Sequence, residues 1–489
     1  MKKFKIFLIL GLFLGVLSLG SCESDYLDTE PTEFISADQI TEASKTNPDL
    51  QSANISGIYT MMFDPGTGGT DLDHDDFGQK GYDIYMDMLC GDMELAGYNY
   101  GWYSGIAKMT TTIDFTTNEN YKPWRYYYRI INGCNLVIDG LGGNDVIPEL
   151  TEAKHYMGQA KAMRAYAYFY LANLFANKYD PATAILPIYT SLEQESQPLS
   201  TTSDVYALMK SDLTDAISLL DDFSRSAKNE VDKYVAKGLL AYVALTTEDY
   251  TTAISNAKDV IDNGGFPLLP MDELTSDGFN NIAAPGWMWG VDLTLDNGLD
   301  LVSWWGQIDL FTYSYAWAGD AKSMDEGLYA KIPATDGRKA QFVDGYGDGN
   351  YIPIWKFYDP ERSIGGQREV TTDYVYMRIE EMYLILAEAY ANDNKDIEAK
   401  NILTDLLSER DTDITYVDGL SGTTLKDEIY LQWRIEMWGE GKSYLAMKRN
   451  KATITRVGHT QVNGSFSYDD DKLTFMIPQN EIQNNPYID

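Results

Sequence analysis

The chain has 489 residues, and its 74 acidic side chains outnumber the 38 basic ones to give a formal charge of -36. That excess argues against nucleic acid, since phosphate binding needs clustered Lys and Arg. The proportions of 44% hydrophobic and 23% charged residues exclude both a disordered tail and a polytopic membrane protein.

At the N-terminus, Met1-Lys2-Lys3-Phe4-Lys5 is basic and Ile6 to Leu19 is an uncharged run, the size of a signal-peptide core and short for a bilayer span. Leu19-Gly20-Ser21-Cys22 looks like a bacterial lipobox, so residues 1–21 are expected to be removed and Cys22 to carry the lipid anchor. The acidic stretch after it reads as a tether over residues 22–40, leading into a single domain over 41–489. Asp71 to Asp76 opens like a calcium loop, but Asp76 stands where that loop wants Gly and Tyr82 where it wants a bidentate Glu, so no metal site is predicted. Cys90 and Cys134 are too few for a disulfide scaffold and read as buried thiols or as one bridge.

The body reads as mostly α. Gly158 to Leu171 is rich in Ala, Leu and Met, as a packed helix requires. Between Val235 and Asn263, Ala241 and Ala244 precede a turn at Glu248-Asp249-Tyr250, and Ala253, Ala257 and Val260 follow it, which predicts two antiparallel helices in close approach. Ala387, Tyr390, Ala399, Leu403 and Leu406 recur at identical offsets much farther along. These offsets resemble the tetratricopeptide repeat, whose helix pairs stack so that each covers its neighbour's apolar face. Further units are expected at Tyr126 to Leu141 with the following helix, at Tyr166 to Leu174 with Val205 to Leu220, and in a C-terminal helix from Leu425 to Arg449. The predicted fold is a tetratricopeptide-like helix-pair scaffold with long, irregular, loop-rich insertions near 70–120 and 265–375.

Loops carry binding groups while a scaffold holds them. The first insertion places Tyr98, Asn99, Tyr100 and Trp102 after Asp92, and the second holds Trp287, Trp289, Trp304, Trp305, Tyr313, Tyr315 and Trp317 among Asp292, Asp296, Asn297, Asp300, Gln307 and Asp309. Half of the 10 Trp residues therefore lie in one insertion. Flat rings stack on the C–H faces of sugars while carboxylates and amides bind the hydroxyls, a mixture that suits a neutral carbohydrate and also peptide backbones. We expect Tyr98, Tyr100, Trp102, Trp304, Trp305 and Trp317 to be stacking platforms, with Asn99, Asp92 and Asp309 as hydrogen-bonding partners. With 3 His in the chain there is no HExxH motif, and neither a GxSxG elbow nor a Gly-rich phosphate loop occurs. Acid pairs such as Glu380-Glu381 are unavoidable among 74 carboxylates. No catalytic residue and no cofactor is expected.

Six segments in order carry a resemblance: the lipobox with Asp25 to Pro31, Asp76 to Lys80, Lys161 to Tyr166, Glu381 to Ala389, Arg434 to Gly441, and Ile477 to Pro486. Together they resemble the SusD/RagB family from Cys22 to the C-terminus, although Gln432-Trp433 stands where the family has an acidic residue before its Arg. The resemblance implies a surface-exposed outer-membrane lipoprotein that is not an enzyme, capping a SusC-like TonB-dependent transporter. Most relatives capture oligosaccharides, and some deliver peptides. It also implies ligand aromatics at Tyr98 to Trp102 and in the Trp287 to Trp317 stretch, in agreement with the residue-level reading. The function expected is glycan capture for uptake; the alternatives are peptide capture, a lipid-anchored glycoside hydrolase or a protein–protein scaffold.

Overall fold

The computed structural model describes residues 37–488 apart from 45, 72, 277, 346, 348 and 460. The signal segment 1–21, Cys22 and the tether up to residue 36 lie outside the described residues; a helix, Ala37–Ser44, already begins within the stretch read as tether. No helix among the described residues is long and apolar enough to cross a membrane.

The scaffold is a run of helices in which, after the first, each packs on the next. After α1 (Gln79–Leu89) come α2 (Asn118–Gly140), α3 (Thr151–Phe175), α4 (Thr202–Leu219), α5 (Lys233–Thr246) and α6 (Tyr250–Asn263). A long insertion then intervenes before α7 (Ile379–Asn392), α8 (Asp396–Ser408), α9 (Gly422–Glu436) and α10 (Lys442–Arg449). Side-chain caps open several of these helices: the Asp232 carboxylate accepts from the backbone N–H of Tyr234 and Val235, and Asp249 accepts from that of Thr252. Helix α6 packs directly on α7, so the insertion loops out and leaves the stack unbroken.

The register shared by the two helix pairs extends to their turns. Ala241, Ala244, Ala253, Ala257 and Val260 are buried, as are Ala387, Ala399, Leu403 and Leu406, with Tyr390 half-buried. Glu248 and Asn394 occupy equivalent positions, both left-handed at φ 59. The next N–H closes back by 2.9 Å in each, Asp249 to Ala244 and Lys395 to Tyr390. The C-terminal helix expected from Leu425 to Arg449 is instead two, α9 and α10. Gly439 and Gly441, at φ 83 and 72, separate them, and a Cβ on Gly441 would lie 3.0 Å from the Asp83 backbone.

The insertion closes on itself and on the N-terminal part. Trp287–Val291 pairs antiparallel with Tyr374–Arg378, so the chain leaves and re-enters the scaffold at one place. Lys322–Met324 pairs antiparallel with Met93–Leu95, joining the two insertions that the sequence reading singled out. Beneath lies a buried ionic cluster: Glu436 takes Arg338 at 2.8 Å, Arg378 at 2.7 Å and Arg410 at 3.1 Å, and Glu440 takes Arg378 at 2.9 Å and Lys356 at 3.1 Å. Burial alone would push the Glu436 carboxyl up, but Arg410, Arg378 and Arg338 together hold it well below the usual carboxylate range. Gln432 sits at the edge of this cluster, accepting from Arg338 at 2.6 Å. Cys90 and Cys134 are free and buried, which removes the bridge. In the Asp71–Asp76 stretch, Asp73 and Asp75 both bind Lys122, and Asp76 accepts from the Gly68 N–H and from Thr70.

Candidate functional site

The Asp320 carboxylate pins the first insertion to the second. Its two oxygens accept three consecutive backbone N–H groups, from Asn99 at 2.5 Å, Tyr100 at 2.8 Å and Gly101 at 3.1 Å. Asn99 also donates from Nδ2 to the Ala318 carbonyl at 2.9 Å. The loop is thereby held with Tyr100 and Tyr98 turned outward, at 62% and 39% exposed, and on the other insertion Trp317 is 44% exposed.

Behind these rings runs a polar relay. Trp102 donates from Nε1 to the Tyr315 hydroxyl at 3.0 Å, and that hydroxyl meets His74 Nδ1 at 2.6 Å. The imidazole stacks parallel on Trp102 with centroids 5.1 Å apart, and Tyr100 sits edge-on to Tyr315, also at 5.1 Å. Gln307 ties the base together, donating to the His74 carbonyl at 2.7 Å and accepting from Lys322 at 2.5 Å. Burial lowers the His74 imidazole below its usual value despite the pull of Asp300, Asp75 and Asp73, so it is neutral at pH 7. Burial likewise pushes the Lys322 ammonium down to about 7, against Asp320 and Asp75.

Beside His74 opens a cleft of about 530 Å³, bounded by Asp71, Asp73, His74, Asp300, Tyr313 and Arg368 among others. Tyr313 links it to the exposed rings, lying 5.5 Å from Trp317 and under the Arg368 guanidinium at 4.2 Å. The cleft thus has an aromatic wall and more carboxylates than cations, so local charge disfavours anionic ligands as the net charge does.

Several expected site residues are elsewhere. Trp304 and Trp305 are each 1% exposed, because Ser303 caps the short helix Trp304–Ile308 and turns both indoles inward against Phe357. Lys80 covers the Trp304 ring at 4.2 Å. Neither presents a face to a ligand. Asp92 is fully buried on Arg434 at 2.6 Å, and its carbonyl accepts from Trp438 at 2.8 Å. Asp309 is also fully buried, accepting from the N–H of Phe311 and Asp359 and from the Thr312 hydroxyl, while burial pushes its carboxyl up to about 7. Both acids are structural. Tyr98, Asn99, Tyr100, Trp102 and Trp317 do gather in one neighbourhood. His74, Tyr313, Tyr315, Asp320 and Arg368 join them; the two tyrosines stood in the ring-rich stretch, but His74 was hidden in a run read only as a failed calcium loop.

A family model described as starch-binding and associating with the outer membrane matches residues 82–245, and the model of the SusD family matches 309–489. A SusD-like protein of Formosa agariphila is 22% identical over 259 residues, 52% of this chain and 46% of that protein, so the match spans less than half of this curated relative. Among solved structures, a SusD-like carbohydrate-binding protein from Bacteroides vulgatus has a TM-score of 0.73 at 23% identity, covering 90% of this chain and 96% of that one. A SusD superfamily protein from Bacteroides fragilis has 0.74 at 24%, covering 90% and 99%, and surface glycan-binding protein A from Bacteroides uniformis has 0.67 at 19%, also covering 90% and 99%. At those identities the structures establish the fold, while the two family models together cover more than half of the sequence. The chain belongs to the SusD/RagB family of nutrient-binding proteins associated with the outer membrane.

Proposed function

We propose that the protein captures a neutral oligosaccharide at the cell surface, held to the outer membrane through lipidated Cys22, and passes it to a SusC-like TonB-dependent transporter without cleaving it. The observation that carries this reading is the Asp320 clamp, which holds the loop bearing Tyr98 and Tyr100 against the second insertion, so that exposed Tyr100 meets Tyr315 beside His74 while exposed Trp317 meets Tyr313 at the cleft. Exposed rings on a backbone pinned by three hydrogen bonds supply preformed stacking faces, so little ordering is needed on binding. Trp102 is the half-buried ring behind them, its indole N–H already used by Tyr315. Asn99 keeps its side-chain carbonyl for a sugar hydroxyl while its amide nitrogen holds the loop. Two proteins of the same fold, the SusD-like carbohydrate-binding protein of Bacteroides vulgatus and surface glycan-binding protein A of Bacteroides uniformis, are named for sugar binding, which favours sugar over peptide for this chain as well.

The test is a binding screen of the protein lacking residues 1–36 against neutral polysaccharides, uronate-rich polysaccharides and mixed oligopeptides, with reducing ends assayed in parallel. The proposal expects binding to a neutral glycan with no release of reducing ends. Binding only to peptides would replace sugar with peptide as the cargo, and new reducing ends would mean a hydrolase.

A further inference from the structure

We propose a second binding cup at the ends of the repeat helices, separate from the loop cleft, that takes a neutral, hydroxyl-rich ligand one or two sugar units in size. The C-terminal ends of α3, α5, α7 and α10 converge there, bringing Asn173, Thr246, Asn392 and Asn450 to the wall of a cavity of about 550 Å³. That volume is within the roughly 300–1,000 Å³ of small-molecule sites. The cup shares no lining residue with the cleft at His74.

Four tyrosines from four different segments line it: Tyr179, Tyr250, Tyr430 and Tyr468. Each is half-buried, and none of their hydroxyls has a hydrogen-bond partner within the protein among the described residues. Rings backed by the fold with unspent hydroxyls can face the C–H side of a sugar and bind its hydroxyls together.

Most charges of the cup are answered within the protein, but Nη1 of Arg449 is buried with no partner among the described residues. At its floor Arg449 holds Glu388 by two bonds of 3.0 Å, with both side chains 3% exposed. Lys448 spends its three donors on the Asn173 and Ala176 carbonyls, each at 2.6 Å, and on the Thr474 hydroxyl at 3.1 Å. It thereby meets the partial negative charge at the end of α3. At the rim Lys451 pairs with Glu248 at 3.5 Å, and Lys426 and Asp427 add one charge of each sign. Five cations face three carboxylates in the lining, but Lys178 pairs outward with Asp469 at 3.6 Å and burial pushes the Lys448 ammonium down to about 7. What is left open is the tyrosine hydroxyls, the ring faces and the Arg449 Nη1 donor, groups that fit the hydroxyls and C–H faces of a neutral polyol.

The test is titration calorimetry of maltose, cellobiose and xylobiose into protein carrying Tyr100→Ala and Trp317→Ala, which disables the loop cleft. At least one disaccharide should bind, and adding Tyr250→Ala with Tyr430→Ala should weaken it at least tenfold. Tyr250→Phe with Tyr430→Phe, which keeps the packing, should give a smaller loss. No binding by the cleft-disabled protein, or binding indifferent to both tyrosine pairs, would overturn the cup. With native loops, Tyr250→Ala and Tyr430→Ala should leave polysaccharide binding unchanged, so the cup and the loop cleft succeed or fail separately.

Discussion

Trp304 and Trp317 lie in one insertion, yet they are 1% and 44% exposed, and this difference sets what each can do. Trp304→Ala should cost about 3–5 kcal/mol of stability, since it empties a packed site against Phe357. Trp317→Ala should change stability by less than about 0.5 kcal/mol, as surface substitutions do. Urea unfolding of the two variants checks the contrast; equal losses would contradict it. Lys322 makes a pH prediction. Its folded value of about 7 is below that of an unfolded lysine, so above pH 7 the unfolded chain holds the extra proton and stability gains from this group as pH rises. Lys322→Met should remove that gain, seen as a smaller rise in unfolding midpoint from pH 7 to pH 9 than in the parent. The abundance of rings was legible in the sequence, but the direction of each was not. A local capping turn at Ser303, rather than ring composition, decides that Trp304 and Trp305 face inward.

At the scale of elements, the turn between paired helices and the break between α9 and α10 both depend on left-handed residues. Glu248 holds φ 59 without the freedom of glycine. Glu248→Gly should therefore raise stability by up to about 1 kcal/mol, with little lost from its exposed pair with Lys451. Gly441→Ala should do the opposite, because φ 72 and contact with Asp83 leave no room for a Cβ. Thermal unfolding of both variants checks the signs. The helix pairs were legible because small residues recur at fixed offsets. The break at Gly439-Glu440-Gly441 was not seen because apolar periodicity continues across it, from Ile429 and Trp433 to Leu445.

Across the whole molecule, the segment Arg434 to Gly441 is a junction. Glu436 and Glu440 gather Arg338 and Lys356 from the insertion, Arg378 from the segment entering α7, and Arg410 from the end of α8. Removing one member of a buried ion cluster strands its partners, so Glu436→Gln should cost about 3–5 kcal/mol, measured by urea unfolding. No spacing in the sequence could announce this cluster, since its members come from four separate segments. The same distance in sequence hid the Asp320 clamp, on which the binding surface rests. The most direct test of that surface is a calorimetric titration of the parent and of a Tyr100→Ala, Trp317→Ala variant with the neutral glycan the protein binds. The account predicts at least a tenfold loss of affinity with an unchanged unfolding midpoint; equal affinity in the variant would contradict it.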